Sequence, residues 1–196
     1  MSTVAVLVLA AGQSSRMKSI KQLAKIDQKF LLEITLEKAK KIGLKNTFCV
    51  LGANADTIKN QINFEGIQTI INKNFKDGLS TSIIQGIHFL REKHTNIKSV
   101  LILLADQPAV QQSYLDEMVQ LSSKNPSKII ASTYLKTYGV PALIPSLYFA
   151  DLLKIEGDKG AKIFLNSNQF SVISPKKNTN LVDIDTQEQL KQFINS

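Results

Sequence analysis

The apolar positions of this chain fall into two alternating patterns. Some form short continuous runs: Val4 to Ala10, Thr47 to Leu51, Ile67 to Ile71 and Ser99 to Leu104. Runs of that length and composition predict strands buried on both faces. Between them the apolar residues carry helical spacing. Phe30 to Ala39 predicts an amphipathic helix that Gly43 ends, Ala55 to Ile62 a shorter one, and Leu79 to Ile87 a third with a hydroxyl-rich first turn. Strands alternating with helices imply right-handed βαβ crossovers. The expected fold class is α/β, a three-layer α/β/α sandwich around a mostly parallel, Rossmann-like central sheet.

The second half is less regular. A helix from Ser113 to Leu121 precedes a strand at Ile129 to Ser132, then a turn and short strand over Tyr138 to Ile144. A helix over Leu147 to Leu153, a tight turn at Gly157 to Ala161 with a helix through Leu165, and a strand at Phe170 to Ile173 follow. Leu181 to Thr186 reads as a late strand meeting a final helix, with Thr186 and Gln189 at capping-box spacing. With no repeat or linker, residues 1–196 are expected to form one domain.

Composition narrows the class. A hydrophobic fraction of 43% and a mean hydropathy of -0.02 suit a globular chain with a real core. No apolar run approaches the roughly 20 residues that span a bilayer. The N-terminal run lacks a basic leader, so no membrane contact and a cytoplasmic location are expected. The net charge is +8, but the lysines are scattered and not interleaved with aromatics. That pattern argues for a general pull on small anions rather than a nucleic-acid groove. Cys49 is alone, which excludes a disulfide framework and a Cys-based metal site and leaves a packed thiol. His88 and His94 have no acidic or Cys partner at ligand spacing, so surface or packing roles are expected, and no Ser-His-Asp set can be assembled.

The candidate chemistry sits where the predicted strands end, which is where open parallel sheets bind ligands. After the first strand come Ala10, Ala11, Gly12, Ser14, Ser15, Arg16 and then Lys21. Small residues let the backbone approach a ligand, and two fixed positive charges suit a phosphate chain. The P-loop and G-x-G-x-x-G patterns are both absent. Asp106 abuts an apolar strand, so it either serves a ligand such as a divalent cation or caps the next element. Asp183 and Asp185 carry the same two readings, with Asp185 placed to cap the final helix. Gly78 to Ser82 either holds a base or ribose or caps its own helix. Together these residues describe a nucleotide- or phosphate-handling α/β enzyme that uses a divalent metal.

At this point the chain resembles a known group. Leu9-Ala10-Ala11-Gly12-Gln13-Ser14-Ser15-Arg16-Met17 with Lys21 is similar to the L-A-A-G-x-S-x-R-M…K signature of GT-A-like nucleotidyltransferases. Lys21-Gln22-Leu23, Gly78 to Ser82, Ala105-Asp106-Gln107-Pro108, Tyr138-Gly139-Val140-Pro141, Gly157 to Ala161 and Asp183-Ile184-Asp185-Thr186 follow in family order. The branch most resembled is the molybdenum cofactor cytidylyltransferases.

The resemblance implies a nucleoside triphosphate along the first loop, contacting Leu9, Ala10, Ala11, Gly12, Ser14 and Ser15, with Arg16 and Lys21 on its phosphates. Gly78, Ser80 and Ser82 would lie near base and ribose. Asp106 and Asp185 would hold Mg²⁺ (or Mn²⁺) against the α-phosphate, making Arg16, Lys21 and Asp106 the catalytic set. The terminal phosphate of molybdopterin would attack and release pyrophosphate. Gly139, Pro141, Gly157, Asp158 and Gly160 would border this phosphorylated pterin acceptor, and a molybdoenzyme is the protein partner implied. Ala11, where guanylyl-transferring relatives usually carry glycine, favours CTP over GTP. The departures are Lys18 for a usual glycine, Ala24 for leucine and Gln187 for proline. Two alternatives remain open: a relative using GTP or another acceptor such as a phosphorylated sugar, and a non-catalytic cofactor-binding maturation factor for a molybdenum hydroxylase.

Overall fold

The first strand, β1 (Val4–Ala10), lies in the interior of the sheet because both of its faces are apolar. Ala5, Leu7 and Leu9 point into one hydrophobic layer, while Val6, Val8 and Ala10 point into the other. The computed structural model describes residues 4–43, 45–167 and 169–195.

From β1 the chain passes through a small hairpin, β2 (Lys25–Ile26) and β3 (Lys29–Phe30), into α1 (Leu31–Gly43). Then come β4 (Thr47–Leu51), α2 (Ala55–Gln61), β5 (Gln68–Ile71), α3 (Leu79–Lys93), β6 (Ser99–Leu104) and α4 (Gln112–Lys124). The second half contributes β7 (Ile129–Tyr134), β8 (Thr137–Pro145), α5 (Phe149–Leu152), α6 (Gly160–Leu165), β9 (Val172–Ile173) and α7 (Gln187–Ile194). The seven-stranded sheet has the order β5-β4-β1-β6-β8-β7-β9. All neighbours run parallel except β8, which pairs antiparallel with both β6 and β7. The expected three-layer, mostly parallel sandwich is therefore the observed fold.

Helices cover both faces of the sheet. Residues of α1, α2 and α4 pack on one face with Cys49, and those of α3, α5 and α6 on the other. Gly86 lets α3 settle directly on β1, since a Cβ there would stand 2.4 Å from a methyl of Leu7. Cys49 is fully buried and burial pushes its thiol pKa up, which fits the packed role. His94 packs edge-on against Phe48, with centroids 4.8 Å apart, so it too is a packing residue.

Three local expectations change. Tyr138 to Ile144, expected as a turn and short strand, belongs to the nine-residue β8 and forms a hairpin with β7. Its two-residue link, Leu135-Lys136, has no Gly or Asn to signal a turn, and Leu135 takes a left-handed φ of 53°. The strand expected at Phe170 to Ile173 shrinks to Val172–Ile173 at the sheet edge. Leu181 to Asp185 is not a strand. It crosses the carboxyl ends of the sheet, held by a bond from the Ile184 N–H to the Asp106 carbonyl (2.9 Å). The Ile184 side chain is buried with Met17, Leu31 and Leu190, so tertiary packing rather than strand pairing places this segment.

Candidate active site

After β1 the chain runs outward to β4 and β5, whereas β6 lies on the opposite side of β1. The strand order thus reverses between β1 and β6, and a crevice opens beyond their carboxyl ends. The loop from Ala11 to Lys21 follows β1, and Asp106 follows β6. Sequence position and topology agree on the place.

The loop is tied down from beneath by Gln22, a buried side chain with 3% exposure. Its Nε2 donates to the carbonyls of Ala10 (2.7 Å) and Gly12 (3.1 Å). The Ser14 hydroxyl donates to Gln22 Oε1 (3.2 Å) and accepts from the Lys21 backbone N–H (3.0 Å). Met17 anchors the far side in the small cluster with Ile184. Lys18 takes a left-handed conformation, with φ 55° and ψ 12°. This is the physical reason a glycine suits that position. Lys18 is exposed and lines none of the site's cavities, so it neither crowds the loop nor reaches a ligand there.

Lys21 is the hub of the charged cluster. Its Nζ lies 2.5 Å from Asp106 Oδ2 and 2.8 Å from Asp185 Oδ1, and Arg16 Nη2 lies 3.0 Å from Asp185 Oδ2. Burial alone would lower the Lys21 pKa, but Asp106 and then Asp185 outweigh it and hold the ammonium above its ordinary value. Asp185 is pulled the other way. Partial burial raises its pKa, yet hydrogen bonding and charge from Lys21, followed by Arg16, leave it below the usual carboxylate value. Asp106 Oδ1 is buried without a hydrogen-bond partner. Asp183 differs from its neighbours: burial, then the Asp106 charge, pushes its pKa up to about 6. Its Oδ1 accepts from Gln107 Nε2 at 2.9 Å.

Neither Asp106 nor Asp185 caps a helix. Thr186 does that work, with the complete capping box that its spacing to Gln189 predicted. Nor does a side chain of the Gly78–Ser82 segment itself cap α3 at its start. Instead Gly78, with φ 104°, lets the turn around Gly157 and Asp158 press against it, since a Cβ there would stand 2.6 Å from the Gly157 carbonyl carbon. Ser82 is held by Asn72 (3.0 Å), and the Asp158 carboxylate accepts from the Leu79 N–H (3.1 Å).

Three adjoining cavities surround the cluster. The first, about 350 Å³, is lined by Ala11 to Arg16, Lys21, Phe75, Lys76, Gly78, Leu79, Ser82, Asp158 and Asp185. The central one, about 410 Å³, runs from Leu9, Ala10 and Gln22 to Asp106, Asp183 and Asp185. The third, about 270 Å³, lies among Gln107, Tyr134, Tyr138, Gly139, Val140, Lys162, Asp158 and Asp183. Leu79 and Asp158 border all three, so they form one continuous trench.

A profile of the MobA-like NTP transferase domain matches residues 6–172. The chain belongs to that family. The nicotine blue oxidoreductase of Paenarthrobacter nicotinovorans is 26% identical to it over 199 residues, spanning 96% of this chain and 95% of the relative. Among solved structures, that of Rv0371C from Mycobacterium tuberculosis H37Rv in complex with manganese superposes with a TM-score of 0.83 at 22% identity, over 100% of both chains. The molybdopterin-guanine dinucleotide biosynthesis protein A of Archaeoglobus fulgidus superposes with a TM-score of 0.70 at 18% identity, over 97% of this chain and 96% of that one.

This MobA-like domain brings most of the expected residues into the trench, but not all. Ser80 and Gly160 are buried and pack against one another's segments, and Gly157 supplies its carbonyl to the Ser80 N–H (3.2 Å). Pro141 is buried within β8, and its carbonyl accepts from Ser132. These four shape the walls without lining the cavities. Conversely, Phe75, Lys76, Tyr134 and Lys162 line the trench without having been singled out. Their signal in the sequence is weak, because aromatic and lysine residues near turns are ordinary surface composition. Gln107 was readable as a polar side chain beside an apolar strand, the same signal that marked Asp106. No group of three or more His, Cys, Asp or Glu forms a metal cage among the described residues.

Proposed function

We propose that this protein transfers CMP from CTP to the terminal phosphate of molybdopterin with release of pyrophosphate, in a reaction that depends on Mg²⁺ (or Mn²⁺). The observation that carries the reading is the Asp106–Lys21–Asp185 cluster, set between the cavity at the first loop and the more apolar third cavity.

The residues suit a hard divalent ion. Mg²⁺ is commonly bound by one or two carboxylates, with phosphate and water completing its shell. Asp106 and Asp185 supply that pair, and the buried, unpartnered Asp106 Oδ1 is an acceptor waiting for a cation. Bound there, the ion would neutralise phosphate charge and polarise the α-phosphate.

The chain's own groups do the rest by position and charge. Arg16 and Lys21 lie on the loop cavity and already engage carboxylates, so a triphosphate would find both cations within reach. Ser82, held by Asn72, and the Gly78 turn would border the ribose and base. Ala11 favours CTP over GTP, and its methyl fills space left by Gly52, where a Cβ would stand 2.8 Å from it. The cavity at Gly139 and Asp158 would take the acceptor, whose product passes to a molybdoenzyme in the cytoplasm.

The test is pyrophosphate release with Mg²⁺, each nucleoside triphosphate in turn, and molybdopterin. CTP should support the fastest turnover. Turnover with GTP alone would overturn the base assignment, and absence of pyrophosphate with every nucleotide would overturn the reaction. This readout also separates nucleotidyl transfer from the redox chemistry in the name of the Paenarthrobacter relative.

A further inference from the structure

The third cavity has an unusual polar lining for a site that receives a phosphorylated molecule. Its exposed charged groups are the carboxylates of Asp158 and Asp183 against one lysine, Lys162. Among the described residues no cation pairs with Asp183, and Gln107 supplies its hydrogen bond. A carboxylate offers only acceptors. A ligand filling this cavity must therefore bring donors.

Gln107 fixes where that acceptor stands. Its Nε2, with two hydrogens to share, lies within hydrogen-bond distance of Asp183 Oδ1 (2.9 Å), the Tyr134 hydroxyl (2.8 Å) and the Leu181 carbonyl (3.3 Å). The amide orientation is determined, because the Tyr134 hydroxyl itself donates to the Val140 carbonyl and so all three partners are acceptors. One buried amide thus ties the end of β6, the β7–β8 hairpin and the crossing segment into one wall. Its Oε1 is left buried without a donor. Apolar surface from Leu79, Leu104, Val140 and Leu165 makes up much of the remaining lining, beside the ring of Tyr138. Such walls suit the face of a flat ring and leave the hydroxyls of a sugar unpaired.

We propose that Asp183 is the residue that selects the acceptor, that Gln107 positions it, and that the cavity takes a planar nitrogen heterocycle presenting N–H donors to the Asp183 carboxylate. This deepens the nucleotidyl-transfer reading and rests on it for the acceptor's role, while the ligand chemistry rests on the cavity alone.

Two measurements test it. The first is binding of free pterin by its fluorescence, without nucleotide, to wild type, Asp183→Asn and Gln107→Met, with a hexose phosphate as competitor. Wild type should bind the pterin, the hexose phosphate should not displace it, and Asp183→Asn should weaken binding at least about tenfold, as expected for loss of a hydrogen bond to a charged group. Gln107→Met should weaken it less, with its melting temperature recorded to separate loss of fold from loss of position. The second is steady-state pyrophosphate release, where Asp183→Asn should raise the acceptor KM with the CTP KM unchanged. Equal pterin binding by wild type and Asp183→Asn, or displacement by the hexose phosphate, overturns the proposal. Pterin binding that depends on Asp183, without any pyrophosphate release, would instead sink the transfer reaction and leave this inference standing.

Discussion

Lys21 Nζ stands 2.5 Å from Asp106 Oδ2, and the same nitrogen reaches Asp185 at 2.8 Å, so one ammonium holds together two carboxylates 79 positions apart in sequence. Their side chains are 17%, 18% and 25% exposed, which places the cluster between surface and core. Removing the cation as Lys21→Met leaves Asp106 unpaired and Asp185 with Arg16 alone, and should cost about 1–3 kcal/mol in metal-free buffer. Added Mg²⁺ should raise the melting temperature of the variant more than that of wild type. Turnover should fall by about 10²–10³ with the phosphate contact gone. Melting curves with EDTA and with Mg²⁺, alongside pyrophosphate release, check both parts.

Asp106→Asn should separate the two roles of this residue. Its carbonyl holds Ile184 through the main chain, which the substitution leaves in place. Lys21 also keeps Asp185, so the variant should lose less stability than Lys21→Met, while turnover drops by about 10² or more because a charged oxygen facing the divalent ion is lost. Intact activity in the cell despite that loss of turnover would favour a non-catalytic maturation factor.

Lys18→Gly should stabilise the protein. The left-handed backbone at this residue is costly for a side chain and free for glycine, a difference of up to about 1 kcal/mol offset by glycine's greater unfolded-state entropy. Turnover should be unchanged, since Lys18 lines no part of the trench. Urea unfolding and the pyrophosphate assay together provide the check.

Stability in metal-free buffer should respond to pH in two opposite windows. Asp185 has a folded pKa below 3.8, so its contribution is present above that value and is lost as pH falls through the lower folded value. Asp183 has a folded pKa raised from 3.8 to about 6, so the folded state binds its proton more tightly and stability declines as pH rises from about 4 to about 6. Asp183→Asn should remove that decline. Urea midpoints at closely spaced pH values with EDTA would show it, and an unchanged slope in the variant would contradict it.

Much of the fold was legible because burial imposes a local signature. The unbroken apolar runs of Val4 to Ala10 and Ser99 to Leu104 can only sit between two helix layers, and both are interior strands. The loop after the first and the acid after the second were marked by the same logic, since polar and small residues abutting such strands need a reason. The capping box at Thr186 and Gln189 is equally local and equally readable. The β7–β8 hairpin was not, because its turn at Leu135 uses a left-handed conformation without the residues that favour one.

The sequence by itself determined the alternation of strand and helix, the two-sided burial of the sheet, and the charged residues at its carboxyl end. Only the tertiary structure decided how those residues divide their work. Asp183 and Asp185 lie two positions apart, and from the residues alone only the place of Asp185 beside the final helix distinguishes them. In the fold, Asp185 is drawn to Lys21 and Arg16, and Asp183 to Gln107. Their partners come from segments distant in sequence, and periodicity reports which face is buried, never what waits across the gap. The small-residue loop and its two cations were therefore written in the chain, but which carboxylate pairs with those cations and which with Gln107 was decided by packing.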